Sequence, residues 1–397
     1  MGDRASLLIV FALLYAGFGA LSPFLPPLLQ SHGLASEAIG AVVAGGVIAR
    51  MAVAPVLGHF ADARHAVCRA LAGACACSAL AAALFAAPLA GPALVALALA
   101  QAAALAPTAP FADAIAVSAA ARENFAYGRI RGFGSAAFIL GSLAGGAIAA
   151  RFGATAPALA QAALLAPAAL AALRAPEPAR RRTTVQASRW PEPLANHDFR
   201  VVVLIAALTL GSHALHDGFA MILWTQAGVS PFVAGVLWSE SVASEVLVFM
   251  VVGPPLLWRL GERGAFALAI GAAVLRWSAM ALTSAPQVMA LTEPLHGLSF
   301  ALLHLAAMSV IARVVPADAA ALAQSVYGAL GVGAATAALS LASGFLFARF
   351  GGGGFWVMAA LAGLALPLVF ALPAKSAPDA THDGNAEERS GVKAPCA

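Results

Sequence analysis

The stretch RAPEPARRRTTVQASRWPEPLANHDFR, Arg174–Arg200, is the longest polar interruption between apolar runs in this 397-residue chain. It carries Pro176, Pro178, Pro191 and Pro193 and the basic run Arg180-Arg181-Arg182, and it reads as a solvated linker. Outward from it the sequence changes character. Toward the start lie six apolar runs, 6–28, 38–57, 70–88, 92–118, 132–150 and 155–173. Toward the end lie six more, 201–223, 231–252, 265–284, 287–312, 321–348 and 355–373. A helix needs about 20 mostly apolar residues to cross a bilayer, and each run is of that order.

Composition leads the same way. The chain is 61% hydrophobic and 10% charged, whereas a soluble domain carries about a quarter of its residues as charges. Too little polar surface is left to face water, so the apolar surface must face lipid. The expectation is an all-α integral membrane protein with twelve transmembrane helices in two six-helix bundles. Residues 1–173 form the first bundle, 174–200 a cytoplasmic linker and 201–373 the second bundle. Residues 374–397, with Asp379, Asp383, Glu387, Glu388 and Arg389, are expected to be a disordered cytoplasmic tail. The run from Ser6 to Leu28 is too long for a signal-peptide core and is expected to be retained as the first span.

Arginines set the orientation. One set of loops holds Arg64, Arg69, Arg122, Arg129, Arg131, Arg259, Arg263 and Arg313, besides those of the linker. The opposite loops hold only Arg151 and Arg349. By the positive-inside rule both termini are expected in the cytoplasm of a bacterial-type inner membrane. The net charge of +4 is thereby used in topology, and nucleic acid is not an expected partner. The halves also share a weak repeat. Ala149-Ala150-Arg151-Phe152-Gly153 follows the fifth span, and Phe347-Ala348-Arg349-Phe350-Gly351 follows the eleventh. Parallel six-helix repeats build one large class of transporters.

The segment between the second and third spans reads Gly58-His59-Phe60-Ala61-Asp62-Ala63-Arg64. It resembles the G-x-x-x-D-R/K loop signature of the major facilitator superfamily, with the basic residue displaced by one. A tight turn at Gly58 and a latch formed by Asp62 and Arg64 are expected there, with Asp62 stabilising one state rather than binding substrate. The corresponding stretch in the second half, Gly253-Pro254-Pro255-Leu256-Leu257-Trp258-Arg259, lacks the Asp. Further stretches narrow the resemblance: Tyr127-Gly128-Arg129-Ile130-Arg131-Gly132-Phe133-Gly134-Ser135, Val242-Ala243-Ser244-Glu245, Leu275-Arg276-Trp277 and Leu295-His296-Gly297-Leu298-Ser299-Phe300. These resemble the phenylpropionic acid transporter family, relatives of lactose permease, over about residues 6–373.

An ionisable residue within a span is costly unless paired or hydrated, so each is a functional candidate. Glu245 lies in the eighth span and Arg276 in the ninth. Arg276 keeps its charge and needs a carboxylate, either Glu245, Asp217 or that of a substrate. A permanent structural ion pair is the alternative. Glu293, His296, Phe300 and His304 advance by three and four residues, which places them on one face of the tenth helix. His296 suits proton passage. His213 and Asp217 share a face of the seventh span, with His216 a helical step away. Glu240 is expected to be near the entrance. In the first half, Arg50 and Asp113 are candidates for substrate binding or for a mutual pair, and Tyr15, Phe18 and Phe111 for apolar cavity walls. The lactose-permease resemblance implies coupling residues on the seventh to tenth helices. Asp217, Glu245, Arg276, Glu293 and His296 supply those residue types, with Glu before His on the tenth helix.

The leading expectation is proton-coupled symport of a small organic acid, such as 3-phenylpropionate, by alternating access. Arg276, Arg50, Asp113, His213, Phe300 and His304 are the expected substrate contacts. A sugar or nucleoside symporter and an efflux permease are alternatives within the class. A membrane-embedded enzyme is the alternative outside it, and no nucleophile motif supports that reading. No P-loop is present. Cys68, Cys75, Cys77 and Cys396 lack zinc spacing. No cofactor or metal is expected; the partners are the substrate, protons and lipid, with a monomer as the working unit.

Overall fold

The computed structural model describes residues 3–178, 192–316 and 319–374. Residues 179–191 of the expected linker and all but Ala374 of the expected tail, with Arg180, Arg181, Arg182, Arg189 and Cys396, lie outside the described residues. The described chain is helical and folds as twelve crossings. α1 is Asp3–Leu21, extended by the short helix Leu25–Ser31; α2 is Ser36–Ala63, and α3 is Val67–Leu84. α4 is Gly91–Glu123, α5 Tyr127–Phe152 and α6 Ala156–Ala172. α7 is His197–Gln226 and α8 is Pro231–Leu247 with a π-helical turn at Val248–Val252. α9 spans 262–282, α10 is Pro286–Val314, α11 spans 320–350 and α12 begins at Phe355–Leu364.

Local chemistry sets these limits. Asn196 Oδ1 accepts from Phe199 N at 3.1 Å and starts α7, and Ser230 Oγ accepts from Val233 N at 3.3 Å and starts α8. Pro231 and Pro286 stand in first turns, where a missing N–H costs nothing. Helical residues run from α8 into α9 except at Gly261, whose φ of 67° and ψ of 177° turn the chain. Runs 92–118, 201–223 and 287–312, read as single spans, are interrupted. α4 breaks between Leu105 and Thr108 beside Pro107, α7 at Ser212-His213, and α10 at a 3-10 turn, Glu293–Leu295, beside Pro294. Membrane helices tolerate such breaks where neighbours satisfy the freed backbone groups.

Within the first bundle α1 lies directly on α5. A Cβ at Gly141 would run into the carbonyl of Ala16, and one at Gly145 into that of Ala20. Without a hydrophobic driving force in lipid, close backbone contact of this kind is what holds helices together. Each bundle also ties its third helix to the end of its sixth. Glu177 accepts from Val67 N and Cys68 N at the start of α3. Arg263 at the start of α9 donates to the carbonyl of Leu372.

The bundles meet through α2 against α11 and α5 against α8 at the end opposite the termini. A Cβ at Gly40 would lie 2.8 Å from Gly344 Cα, and one at Gly146 would lie 2.7 Å from the Pro231 carbonyl. The expected turn at Gly58 is corrected. α2 continues through Ala63, and nothing lies within 4 Å of a Cβ placed on Gly58. The chain turns instead at Arg64-His65, where His65 takes a φ of 47° and its N–H bonds Asp62 O at 3.2 Å. Gly58 to Asp62 is therefore a helix end, with Asp62 exposed and the Arg64 guanidinium 5.4 Å over the Phe60 ring.

Candidate functional site

The interrupted helices of the second bundle bring a chain of charged groups together inside that bundle. Arg276 on α9 is fully buried, 4.6 Å over the ring of Trp277. Its Nη2 donates to Glu293 Oε2 at 2.8 Å, and Glu293 is also fully buried. The same carboxylate oxygen lies 3.2 Å from His216 Nε2. His216 stacks on Trp238 at 5.1 Å and places Nδ1 3.3 Å from Asp217 Oδ1. Asp217 is 47% exposed although its helical neighbours are buried.

Arg276 also decides how His296 carries its proton. Nη1 lies 3.1 Å from His296 Nδ1. A guanidinium can only donate, so Nδ1 must be the accepting nitrogen, and a neutral His296 holds its proton on Nε2. That nitrogen lies 3.5 Å from Glu245 Oε2. His213 is fixed in the opposite sense to its neighbour. Nδ1 faces the carbonyl of Thr209 at 3.0 Å, so Nε2 accepts from Ser299 Oγ at 3.1 Å. Phe300 stacks on His296 at 5.3 Å, while His304 lies between Phe249 and Tyr327, 5.9 and 5.8 Å away. Among the described residues, π-helical turns occur only in α8, α10 and α11; α8 carries Glu245 and α10 carries Glu293 and His296, and such turns are frequent at functional sites.

In the first bundle Arg131 lies 4.8 Å over the Tyr15 ring. Tyr15 is buried, and its hydroxyl and Asp113 Oδ1 have no hydrogen-bond partner. Tyr127 and Arg131 are the polar neighbours of Asp113. Among the described residues Arg131 has no carboxylate within ion-pair distance. Arg50 is exposed on α2, seven residues beyond Val43 and on the same helix face. Phe18 packs edge-on to Tyr15 at 5.6 Å, and Phe111 is buried in the same apolar cluster.

Several expected pairings change. Arg276 binds Glu293, not Glu245 or Asp217, because the 3-10 turn at Glu293–Leu295 swings that carboxylate toward α9. Glu293 rather than Glu245 is the most buried carboxylate, Glu245 being 30% exposed. His216, read as facing away, lies between Asp217 and Glu293, 3.3 and 3.2 Å from their carboxylate oxygens. Among the described residues Arg50 and Asp113 form no ion pair with each other. Arg131, read as a loop residue, lies inside α5, which begins at Tyr127. Its presence in the quoted stretch Tyr127–Ser135 was the available signal. Glu240 is half-buried with Oε2 unpartnered.

The sequence model of the MFS_1 like family matches residues 5–358. The protein named "Probable 3-phenylpropionic acid transporter" of Escherichia coli (strain K12) is 32% identical over 273 residues, which cover 67% of this chain and 70% of that protein. Among solved structures, a mutant of nucleoside transporter NupG superposes with a TM-score of 0.81 at 20% identity, covering 93% of this chain and 98% of that one. A D-xylose-proton symporter superposes with a TM-score of 0.66 at 16% identity, covering 92% and 96%. These two likenesses concern the fold. With the family match spanning nearly the whole described membrane region, the chain belongs to the MFS_1 like family of major facilitator transporters, multi-pass membrane proteins that move small molecules.

Proposed function

We propose that this transporter takes up a small aromatic carboxylate together with protons, by alternating access, across a bacterial inner membrane with both termini in the cytoplasm. The observation that carries the reading is the buried Arg276–Glu293 pair, with His216 and His296 on either side. A carboxylate deprived of water holds its charge only beside a cation and takes up a proton when the cation leaves. Such a pair has two states, and protons choose between them. His296 and Glu245 connect the pair to water, since Glu245 is 30% exposed.

Because Arg276 is fully buried and committed to Glu293 and His296, it is a poor first contact for substrate. Arg131 is better placed. It is accessible, lies over an aromatic ring and presents a planar fork that suits a carboxylate. Tyr15, Phe18 and Phe300 offer ring faces and edges for an aromatic body. The kinship to a protein named for 3-phenylpropionic acid supports that substrate class.

The test is uptake into proteoliposomes. Labelled 3-phenylpropionate should accumulate when the outside is made acidic, and a protonophore should abolish accumulation. Uridine, xylose and an aromatic amine serve as comparators. Accumulation of a comparator without 3-phenylpropionate, or accumulation indifferent to the protonophore, would end this reading.

A further inference from the structure

The chain of charges in the second bundle continues across the seam between the bundles. Its distances run 3.3 Å from Asp217 to His216, 3.2 Å from His216 to Glu293, 2.8 Å from Glu293 to Arg276, 3.1 Å from Arg276 to His296 and 3.5 Å from His296 to Glu245. Asp217 is the exposed end of that chain, and it sits where α7 touches α2. A Cβ placed on Gly218, its neighbour, would lie 4.0 Å from Val43 Cγ2. Arg50 is seven residues beyond Val43 on α2, or about two helical turns and ~10 Å along the axis. The Cα–Cβ bond of a helical residue leans toward the helix start, so the long Arg50 side chain has the reach to extend back toward that contact. His216 of the same helix holds Asp217 at 3.3 Å, and the other charged or titratable groups on the elements around it are His213 on α7, His296 on α10, Glu245 on α8 and Arg50 on α2, the last beyond ion-pair distance.

We infer that Arg50 is a positioning residue that acts through Asp217, a cross-bundle counter-charge through which the protonation of the buried His216–Glu293–Arg276 chain sets how closely α2 approaches α7. The inference rests on the proton-coupling reading of that chain. The physics is direct. When the His216–Glu293 end of the chain holds an extra proton, His216 carries positive charge and draws the Asp217 carboxylate to itself. Arg50 then loses its share of that carboxylate. When the proton leaves, Asp217 is free to hold Arg50. Arg50 lies on one bundle and Asp217 on the other, so this exchange changes the attraction between bundles without a substrate being present.

The experiment uses spin labels on exposed ends of α2 and α7 in the full-length protein, with inter-bundle distances measured from pH 5 to pH 8. The wild type should show a pH-dependent shift between two distance populations. Arg50→Gln and Asp217→Asn should each abolish the shift, and Arg50→Lys should keep it. The charge exchange Arg50→Asp with Asp217→Arg should restore at least part of it, which no loss of folding imitates. Size exclusion and 3-phenylpropionate-dependent thermal stabilisation accompany each variant. An intact pH shift in Arg50→Gln would overturn the inference. Loss of stabilisation by 3-phenylpropionate in that variant, with the shift intact, would make Arg50 a substrate ligand instead. Failure of 3-phenylpropionate to act on the wild type would count against the substrate reading alone, because the distance measurement needs no ligand.

Discussion

Arg276 Nη2 and Glu293 Oε2 meet at 2.8 Å, and neither side chain is exposed. Removing one partner of a buried pair leaves the other charge uncompensated, at a cost of about 3–5 kcal/mol. Glu293→Gln keeps an accepting oxygen for Arg276 but removes the negative charge. It should lower thermal stability and remove proton-driven accumulation, whereas Glu240→Gln, on a carboxylate that is only half-buried, should leave stability nearly unchanged. Thermal unfolding in detergent and acid-driven uptake check both statements. A Glu293→Gln protein that accumulates substrate as the wild type does would exclude Glu293 from the coupling path.

The helical architecture was legible because bilayer crossing imposes a simple length rule on the sequence. Runs such as 132–150 and 155–173 sit inside the observed helices Tyr127–Phe152 and Ala156–Ala172, apart from the first and last residues of the second. The polar face of α10 was also legible, and His296 and Phe300 do stack. What periodicity could not supply was the partner of Arg276. Regular helical spacing assumes 3.6 residues per turn, and α10 abandons that spacing at Glu293, where a 3-10 turn is followed by a π-helical turn. Arg131 was missed for a different reason. Basic residues near a span end read as loop, yet α5 starts four residues before it.

Arg131 leads to a prediction about substrate charge. Arg131→Lys retains the positive charge and loses the planar pair of donors. For a carboxylate substrate it should raise the apparent KM roughly tenfold, the equivalent of one charge-assisted hydrogen bond of about 1.5 kcal/mol. A neutral analogue, such as 3-phenylpropanamide, should bind the variant and the wild type alike. Competition against labelled 3-phenylpropionate measures both. Equal losses for acid and amide would show that Arg131 packs rather than recognises charge.

Gly141 tests the packing of the first bundle. A Cβ there meets the Ala16 carbonyl, which belongs to a helix backbone and cannot rotate away. Gly141→Leu should force α1 and α5 apart at a cost of about 1–3 kcal/mol, with a lower melting temperature. Gly271→Ala is the matched control, since nothing lies within 4 Å of a Cβ at that position. Unfolding of the two variants in the same detergent decides it. Equal melting temperatures would mean that the close α1–α5 approach does not hold the bundle.

His296 and Glu245 form the step between the buried pair and water. Arg276 holds His296 Nδ1 as an acceptor, so the proton on Nε2 points at Glu245 Oε2, 3.5 Å away. The two nitrogens therefore have separable tasks. His296→Asn places an oxygen near the position of Nδ1 and can still accept from Arg276, but it has no group where Nε2 stood. It should fold and exchange substrate across the membrane, yet fail to accumulate it in response to acid. Glu245→Gln should behave the same way, because an amide at that position carries no titrating proton. His296→Gln reaches toward Nε2 and deprives Arg276 of its second acceptor, so it should be less stable than His296→Asn. Counterflow reads exchange, a pH jump reads accumulation, and thermal unfolding ranks the two histidine variants. If acid still drives accumulation in both Glu245→Gln and His296→Asn, the proton does not pass between these two residues. Glu293 reached through His216 and Asp217 is then the remaining route, since Asp217 is the other exposed carboxylate of the chain of charges.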